Sequence, residues 1–325
     1  MEPLLKVAII GLGSQDLSDH IPAVLKRNDL SIVAVCDPSQ ESQNKFIELF
    51  PSLVNKVKIF SDYRDALGED ELPIDFAIVA VPHNEYFDIA QALCSKQIPF
   101  VKEKPFARNL GEAVELLKVP HFGDYGFICS QRRYSTLYQK AKEYVSLIGD
   151  VYLFNAVYKL NIPNPHEGWR GSTEIAGGGC ILDMGYHIID QLVWWFGIPT
   201  TIFAQKSTLV TPEVEYDAED SATIAFKYDS GLHGSVTLSR FAGDKQEEYA
   251  LYGSNGSITG NKKYLVVKDK NNNILYEESI SDTSTMVDSQ LDFFVKRMKT
   301  GSGFSDVLEQ NLMNMRFIDR CYASC

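Results

Sequence analysis

Residues 7–24 read VAIIGLGSQDLSDHIPAV, an apolar run that ends in two closely spaced glycines and is followed by an amphipathic segment. The pattern predicts a buried strand, a tight turn at Gly11 and Gly13, and a helix. In such a turn the backbone N–H groups, including that of Ser14, and the helix N-terminus can approach a pyrophosphate. The third position of the G-x-G-x-x-G pattern is Asp16, and an acid beside a diphosphate is unfavourable unless the loop points it away. A plain strand-to-helix connection is the alternative interpretation.

The next apolar run, IVAVCDPS at residues 32–39, places Asp37 at the end of a second strand. A carboxylate at this point of a dinucleotide-binding unit can accept hydrogen bonds from both adenosine ribose hydroxyls. Its charge would repel a 2′-phosphate, and neither Pro38 nor Ser39 offers a cation. NAD is therefore favoured as the cofactor, with NADP as the second candidate. An ordinary turn residue before Pro38 is the alternative.

The first 130 residues alternate short apolar runs with longer amphipathic stretches. The runs VAII, SIVAVC, FAIVAV and IPFVKE are typical of strands buried on both faces of a parallel sheet. Helices are predicted between them at residues 19–28, 39–50, 84–96 and 109–118, as βαβ units require. Residues 1–130 are therefore predicted to form a doubly wound α/β domain of the Rossmann type that binds a dinucleotide.

The pattern changes after residue 131. A helix is predicted near 135–147, followed by strands with alternating character in DVYLFNAVYKL, SATIAFKY, LHGSVTLS and EEYALYG, and by helices at 287–299 and 305–322. Residues 131–325 are predicted to form an α+β domain with a mostly antiparallel sheet, covered by helices on one face. The other face would be available for self-association, so we expect a homodimer or homotetramer.

Composition narrows the function classes. With 325 residues and 45% hydrophobic residues, the chain is expected to form two domains, with one long compact domain as the alternative. Its net charge of -12 indicates that it binds neither nucleic acid nor an anionic membrane. The start MEPLLKVAIIGLG does not resemble a signal peptide, and no apolar stretch approaches membrane length. Six cysteines without a CxxC pair indicate reduced thiols. We therefore expect a cytoplasmic protein.

Two further motifs occur in a fixed order with the glycine turn. VKEKPFARN follows a buried strand at residues 101–109, and GGG-x-x-x-D-x-G-x-H-x-x-D spans residues 177–190. Together the three motifs resemble the Gfo/Idh/MocA family of NAD(P)-dependent oxidoreductases over nearly the whole chain. The resemblance implies catalytic roles for Lys104 of the EKP motif and for Asp183 and His187 of the second motif.

The resemblance also implies cofactor contacts at Pro82, His83, Glu103 and Lys104. The family commonly has Pro-Asn and then a histidine after the fourth strand. Here the sequence is VPHNEY, with His83 where asparagine is common and Tyr86 where the histidine is common.

Oxidation of a secondary alcohol requires a hydride acceptor, a base and stabilisation of alkoxide character. Asp183 and His187 are four residues apart on a predicted helix, so the carboxylate can orient the imidazole, which we predict to be the base in oxidation and the acid in reduction. Lys104 would hydrogen-bond the reacting oxygen. The glycines at 177–179 are predicted to let the backbone pass close to nicotinamide and substrate. The alternatives are a helix-dipole role for Asp183, a satisfied half-buried His187 and a solvated Lys104.

Substrate contacts are predicted in QRRYS and NPHEGWRGS. Aromatic and cationic side chains there suit a polyol or sugar, including one with a carboxylate or phosphate: Arg133, Tyr134, His166, Trp169 and Arg170. For each of them a structural role is an equal alternative. No metal site is predicted, because His20, His121 and His233 have no acidic or cysteine partner at ligand spacing. A dehydrogenase of a hydroxyl-bearing substrate is favoured over an NAD-using glycoside hydrolase of the same family and over a non-catalytic nucleotide-sensing protein.

Overall fold

The computed structural model describes residues 3–162, 164, 166–209 and 215–325 of the chain. They divide into two compact units, and neither unit is a single stretch of sequence. The first contains Met1–Lys104, Gly111–Cys129 and Val287–Glu309. The second contains Pro105–Leu110, Ser130–Met286 and Gln310–Cys325. The division into a dinucleotide-binding domain at 1–130 and a substrate-binding and oligomerisation domain at 131–325 stays a prediction.

The first unit contains a six-stranded parallel sheet in the order β3-β2-β1-β4-β5-β6. Its strands are β1 Leu5–Ile10, β2 Leu30–Cys36, β3 Lys58–Phe60, β4 Phe76–Val79, β5 Phe100–Lys102 and β6 Gly126–Ile128. The prediction of a doubly wound parallel sheet is confirmed. The strand order reverses at β1 and β4, so a crevice for ligands is expected beyond the carboxyl ends of these two strands.

Helices connect these strands. They are α1 Ile21–Leu25, α2 Gln40–Leu49, α3 Tyr63–Gly68, α4 Tyr86–Ser95, α5 Leu110–Leu117 and α6 Phe122–Tyr125. A π-helical turn at Asp16–His20 precedes α1, and a 3-10 turn at His83–Glu85 precedes α4. The sequence analysis missed α3 and α6, because six and four residues are too few to show a helical period.

The second unit contains an eight-stranded sheet in the order β14-β13-β12-β11-β7-β10-β9-β8. Its strands are β7 Val151–Asn161, β8 Thr201–Ser207, β9 Ser221–Lys227, β10 His233–Ser239, β11 Phe241–Gly253, β12 Gly256–Gly260, β13 Tyr264–Asp269 and β14 Ile274–Ser279. Among the described residues β7 and β10 form the one parallel pair of this sheet, and the other pairs are antiparallel. The predicted mostly antiparallel sheet is thus confirmed.

Side chains alternate across this sheet as its period of two requires. Phe154, Ile224, Leu251 and Val267 are fully buried on one face. The residues next to them in sequence point to the opposite face of the sheet, and their side chains are exposed or half-buried.

Six helices belong to the later part of the chain. They are α7 Thr136–Tyr144, α8 Thr173–Ala176, α9 Cys180–Asp183, α10 Gly185–Phe196, α11 Thr285–Thr300 and α12 Ser305–Ala323. Most of α11 packs in the first unit, where the Phe294 ring stacks on that of Phe304 with centroids 5.3 Å apart and also contacts Phe76 and Phe127. Within the described part of the chain no helix combines the length and apolarity needed to cross a membrane.

Candidate active site

The glycine turn lies at the carboxyl end of β1. Gly11 has φ +102°, and a Cβ there would lie 2.2 Å from the carbonyl oxygen of Ala80, so only glycine fits. A Cβ on Gly13 would contact nothing, and both Gly13 and Ser14 are exposed. The first glycine therefore packs β1 against the loop after β4, while the backbone at the second one is open to a ligand.

Asp37 ties this turn to the end of β2. Its Oδ2 accepts a hydrogen bond from Leu12 N at 2.8 Å, and its Oδ1 accepts one from Ser39 N at 2.8 Å. Each carboxylate oxygen can accept more than one hydrogen bond, so the half-buried side chain keeps capacity for hydroxyl donors.

Asp16 is turned into the protein. Its residue exposure is 0%, and neither carboxylate oxygen has a hydrogen-bond partner among the described residues. Burial raises the pKa of Asp16 well above its ordinary value; His20 opposes this rise, and Glu103 and Asp37 add to it. The loop therefore holds the acid inside the protein, where burial disfavours its charged form and so weakens any repulsion of a diphosphate.

His20 and Glu103 form a buried ion pair with 2.8 Å between Nε2 and Oε1. Burial alone would lower the pKa of His20, but the hydrogen bond and charge of Glu103 raise it, and the same contact keeps the pKa of Glu103 low despite burial. Glu103 Oε2 also accepts a hydrogen bond from Lys104 N at 3.2 Å. The Glu103 carboxylate, predicted to contact the cofactor, is thus directed at His20 and holds the backbone of Lys104.

Cys129 completes a group of three potential metal-binding atoms, with His20 and Glu103, that lie within 4.8 Å of one another. The Glu103 carboxylate already accepts hydrogen bonds, and Cys129 Sγ accepts one from Gln290 Nε2 at 3.0 Å. Burial also raises the pKa of the Cys129 thiol well above its usual range, which disfavours the thiolate that a metal needs. These contacts engage all three side chains within the protein, and they show that His20 has an acidic and a cysteine neighbour that its sequence spacing did not predict.

Pro82 and His83 begin the turn that leads into α4. Pro82 has φ −51° and ψ 145°, and the His83 side chain is buried. Tyr86, at the position where the family commonly has histidine, is also buried, with the Lys102 ammonium 3.9 Å from its ring centroid. Burial lowers the pKa of Lys102 to about 7. Lys102 was not predicted as special, because a lysine in a strand carries no sequence signal for burial.

The glycines at 177–179 are each enclosed by protein. A Cβ on Gly177, which has φ +87°, would lie 2.3 Å from Arg108 O. On Gly178 it would lie 2.0 Å from Tyr322 Oη, and on Gly179 it would lie 2.1 Å from Glu219 O. The space that a side chain would need at these glycines is thus filled by neighbouring parts of the second unit, and the approach of their backbone to nicotinamide and substrate stays a prediction.

Asp183 ends α9 and His187 lies in the first turn of α10. Met184 between the two helices keeps a right-handed helical backbone, so the spacing of four residues places Asp183 and His187 on neighbouring turns. The His187 imidazole is half-buried, and its ring centroid lies 6.5 Å from that of Tyr158 on β7.

Two guanidinium groups flank the Asp183 carboxylate, which is 17% exposed. Arg170 Nε lies 3.9 Å and Arg240 Nη2 lies 3.8 Å from Asp183 Oδ2. Arg240 is only 1% exposed, and its Nη1 donates to Arg170 O at 3.3 Å. Sequence reasoning missed Arg240, because an arginine between two strands has no pattern that predicts its burial beside an acid.

The predicted substrate residues divide into two groups. Arg133 forms a buried ion pair with Asp190, with 2.6 Å between Nη2 and Oδ1, and Asn314 Nδ2 donates to the same oxygen at 2.7 Å. Tyr134 is half-buried in a 3-10 turn. The other three, His166, Trp169 and Arg170, lie on one loop of the second unit.

On that loop the Arg170 guanidinium lies 4.3 Å from the Trp169 ring centroid, and the His166 ring centroid lies 5.8 Å from that of Tyr216. The structure therefore places Arg170 beside Asp183 and over the ring of Trp169, whereas Arg133 forms an internal ion pair.

Sequence comparison finds two domains of one family in this chain. A family described as an oxidoreductase family with an NAD-binding Rossmann fold (GFO_IDH_MocA) matches residues 5–120, and the GFO/IDH/MocA C-terminal domain matches residues 138–259. Rhizopine catabolism protein MocA of Rhizobium meliloti is 25% identical over 245 residues, which are 72% of this chain and 71% of that protein. D-glucoside 3-dehydrogenase of Escherichia coli is 25% identical over 201 residues, 60% of this chain and 55% of that protein.

Across five such relatives the match covers between 52% and 71% of the relative's own length. Among solved structures, levoglucosan dehydrogenase in complex with NADH and levoglucosan superposes with a TM-score of 0.84 at 19% identity, covering 98% of this chain and 96% of that one. This likeness shows a shared fold.

The Asp16→Asn variant is expected to be more stable than the natural protein at neutral pH. The folded pKa of Asp16 is raised, so its stabilising contribution is complete below the unfolded pKa near 3.8 and is lost as the pH rises through the folded pKa. An amide carries no charge, so the variant should gain about 1–3 kcal/mol in unfolding free energy toward high pH. Urea unfolding between about pH 5 and pH 8 measures the difference. The exposed Asp70→Asn control should show no such trend; parallel pH curves for Asp16→Asn and the natural protein would contradict the raised pKa of the buried acid.

Proposed function

Because this chain belongs to the Gfo/Idh/MocA family of NAD-binding oxidoreductases, we propose that it transfers a hydride between a nicotinamide cofactor and a secondary hydroxyl of a sugar, cyclitol or related polyol. The observation that carries the proposal is the Asp183–His187 segment. It holds a partly exposed carboxylate beside two guanidiniums and a half-buried imidazole one turn later. Relatives named as dehydrogenases of a glucoside and of levoglucosan support the substrate class.

The residues of the first unit fit NAD. Gly11 closes the turn, the exposed backbone of Gly13 and Ser14 can donate to a diphosphate, and Asp37 can accept from ribose hydroxyls. When bound, NAD supplies a ring that accepts or returns the hydride. In this proposal Pro82 and His83 form the wall of the same crevice through the turn before α4.

His187 acts as the acid and base in this proposal. It takes the hydroxyl proton in oxidation and returns it in reduction, while Asp183 fixes the orientation of the imidazole. Arg170 and Arg240 favour the ionised Asp183 by their charge. Lys104, whose backbone is held by Glu103, stabilises the negative charge that develops on the reacting oxygen.

Substrate binding is assigned to the loop that carries His166, Trp169 and Arg170, together with Tyr134. Trp169 offers an apolar ring face and Arg170 a cation stacked on it, a combination that suits the faces and hydroxyls of a sugar. Arg133 contributes indirectly, through its ion pair with Asp190 on α10, the helix that carries His187.

The proposed reaction is tested by mixing the protein with NAD or NADP and a panel of sugars, cyclitols and their phosphates, and following the absorbance of the reduced nicotinamide. With the panel member that reacts, Lys104→Ala and His187→Ala should each lower kcat by about 10²–10⁴-fold, because each removes a group that acts on the reacting oxygen or its proton. Binding of NAD, measured by calorimetry, should persist in both variants.

Lys118→Ala and His121→Ala are the matched controls, since both side chains are exposed in the first unit. They should retain full turnover. Unchanged turnover in both the Lys104 and the His187 variants would reject the proposed mechanism, and tight NAD binding without turnover of any panel member would favour a nucleotide sensor.

Cofactor preference depends on Asp37 in this proposal. Asp37→Asn keeps the size of the side chain but removes its charge, so the affinity for NAD should fall roughly tenfold and the preference over NADP should narrow. Calorimetric titration with each cofactor measures both effects. Asp62→Asn is the matched control, because Asp62 follows the next strand and likewise accepts a backbone hydrogen bond, from Arg64 N at 2.8 Å. An unaltered NAD preference in Asp37→Asn would contradict the ribose contact.

Self-association is proposed through the open face of the eight-stranded sheet, as a homodimer or homotetramer. This face carries Phe203, which is 50% exposed, and the cross-strand neighbours Leu153 and Tyr252. Light scattering should give at least twice the chain mass of 36.5 kDa, and Phe203→Glu should reduce it toward one chain. Leu49→Glu, an exposed position on α2, is the control. A single-chain mass for the natural protein would overturn this assignment.

A further inference from the structure

A buried carboxylate lies directly behind the glycines at 177–179. Glu219 is 1% exposed, and its Oε2 accepts a hydrogen bond from Gly179 N at 2.8 Å. Its Oε1 accepts one from Ile181 N at 2.9 Å and another from Tyr322 Oη at 2.9 Å. The backbone oxygen of the same residue accepts from Cys180 N at 2.9 Å. One residue therefore satisfies three successive N–H groups at the start of α9.

This arrangement is a helix cap supplied from a distant part of the chain. The first N–H groups of a helix have no partner within it, and a carboxylate near them is favourable because of their partial positive charge. Within the short helix Asp183 N donates to Gly179 O at 3.0 Å, so Asp183 lies one turn after the capped residues. A shift of the cap would shift Asp183 with it.

Close steric contacts at Gly178 and Gly179 limit how far the cap of α9 can move. Neither Gly178 nor Gly179 has room for a Cβ, because Tyr322 Oη and Glu219 O lie 2.0 Å and 2.1 Å from where that atom would be. Tyr322, in α12, thus contacts the segment in two ways: its hydroxyl donates to Glu219 and its ring end closes the space at Gly178. Close-packed neighbours of this kind transmit small displacements rather than absorb them.

We infer that Glu219 and Tyr322 are positioning residues that fix the place of Asp183 through the cap of α9. The inference rests on the proposed function, in which Asp183 orients His187. It explains the glycine triplet through the close approach of Glu219 and Tyr322, and it adds two residues to the active site's support that no motif in the sequence marks.

Hydrogen exchange measured by mass spectrometry tests the cap without any substrate. Glu219→Gln replaces one acceptor oxygen by an N–H donor, and Tyr322→Phe removes the hydroxyl. Exchange of the amides at 179–184 should accelerate by roughly 10- to 100-fold in Glu219→Gln, as expected for a lost hydrogen bond to a charged acceptor, and less in Tyr322→Phe. Glu248→Gln and Tyr264→Phe are matched controls, because these two side chains form an exposed tyrosine–glutamate pair elsewhere in the second unit. Unchanged exchange at 179–184 in Glu219→Gln would overturn the inference.

Kinetics distinguish a positioning role from a purely structural one. With the panel member that reacts, Glu219→Gln should lower kcat by about 10- to 100-fold, the scale of a displacement near 1 Å at a reacting group, while the affinity for NAD stays unchanged. If Lys104→Ala and His187→Ala abolish turnover but Glu219→Gln leaves kcat unchanged, this inference fails and the proposed function stands. If the Lys104 and His187 variants keep full turnover, the proposed function fails, and the exchange experiment still decides whether the cap exists.

The steric contact between Gly178 and Tyr322 is tested by asking whether a second substitution relieves the effect of the first. Gly178→Ala should impair kcat because its methyl group collides with Tyr322, and adding Tyr322→Ala should restore part of the loss by removing the ring. Gly68→Ala, where a Cβ would meet nothing, is the control and should retain full activity. A double variant no better than Gly178→Ala alone would overturn the assignment of Tyr322.

Discussion

Backbone N–H groups in loops and at helix starts need hydrogen-bond acceptors, and three carboxylates of this chain supply them to donors in four segments. The acceptors and their donors are Asp37 with Leu12 and Ser39, Glu103 with Lys104, and Glu219 with Gly179 and Ile181. A carboxylate offers two acceptor oxygens, so one side chain can hold donors that belong to different elements. Every donor in this set lies in, or next to, a segment that we propose binds cofactor or carries a reacting group. The geometry of the proposed cofactor-binding loops, and of the segments that carry Lys104 and Asp183, therefore depends on carboxylates that take no part in the reaction themselves.

The sequence was sufficient where the signal is local. The strands of the parallel sheet are continuous apolar runs, and those at the centre of the second sheet alternate, so their periods predict both architectures. The neighbouring positions of Asp183 and His187 follow from a spacing of four on helical backbone. Strand β3 and helix α6, with three and four residues, were too short to show any period.

The sequence was insufficient where the partner is distant. The glycines at 177–179 are visible as a motif, but the atoms that exclude a Cβ there belong to Arg108, Glu219 and Tyr322. Likewise Arg133 has the chemistry of an anion-binding group, and only the fold shows that Asp190 occupies it. For Asp16 the sequence does not show whether the side chain points to solvent or into the protein. Its π-helical turn places the carboxylate inside. Residue type determines which interactions a side chain can make, whereas tertiary packing determines which neighbour it interacts with.

The return of α11 to the first unit has a consequence for biosynthesis. Phe76 and Phe127 pack against Phe294, yet the whole eight-stranded sheet is encoded between Phe127 and Phe294. At ribosomal elongation rates of 5–20 residues per second, the stretch from Cys129 to Val287 takes about 10 to 30 s to emerge. During that interval the nascent first unit lacks its last helix and exposes aromatic surface to solvent or to a chaperone. The rate at which the second unit is translated therefore determines how long the core of the first unit remains incomplete.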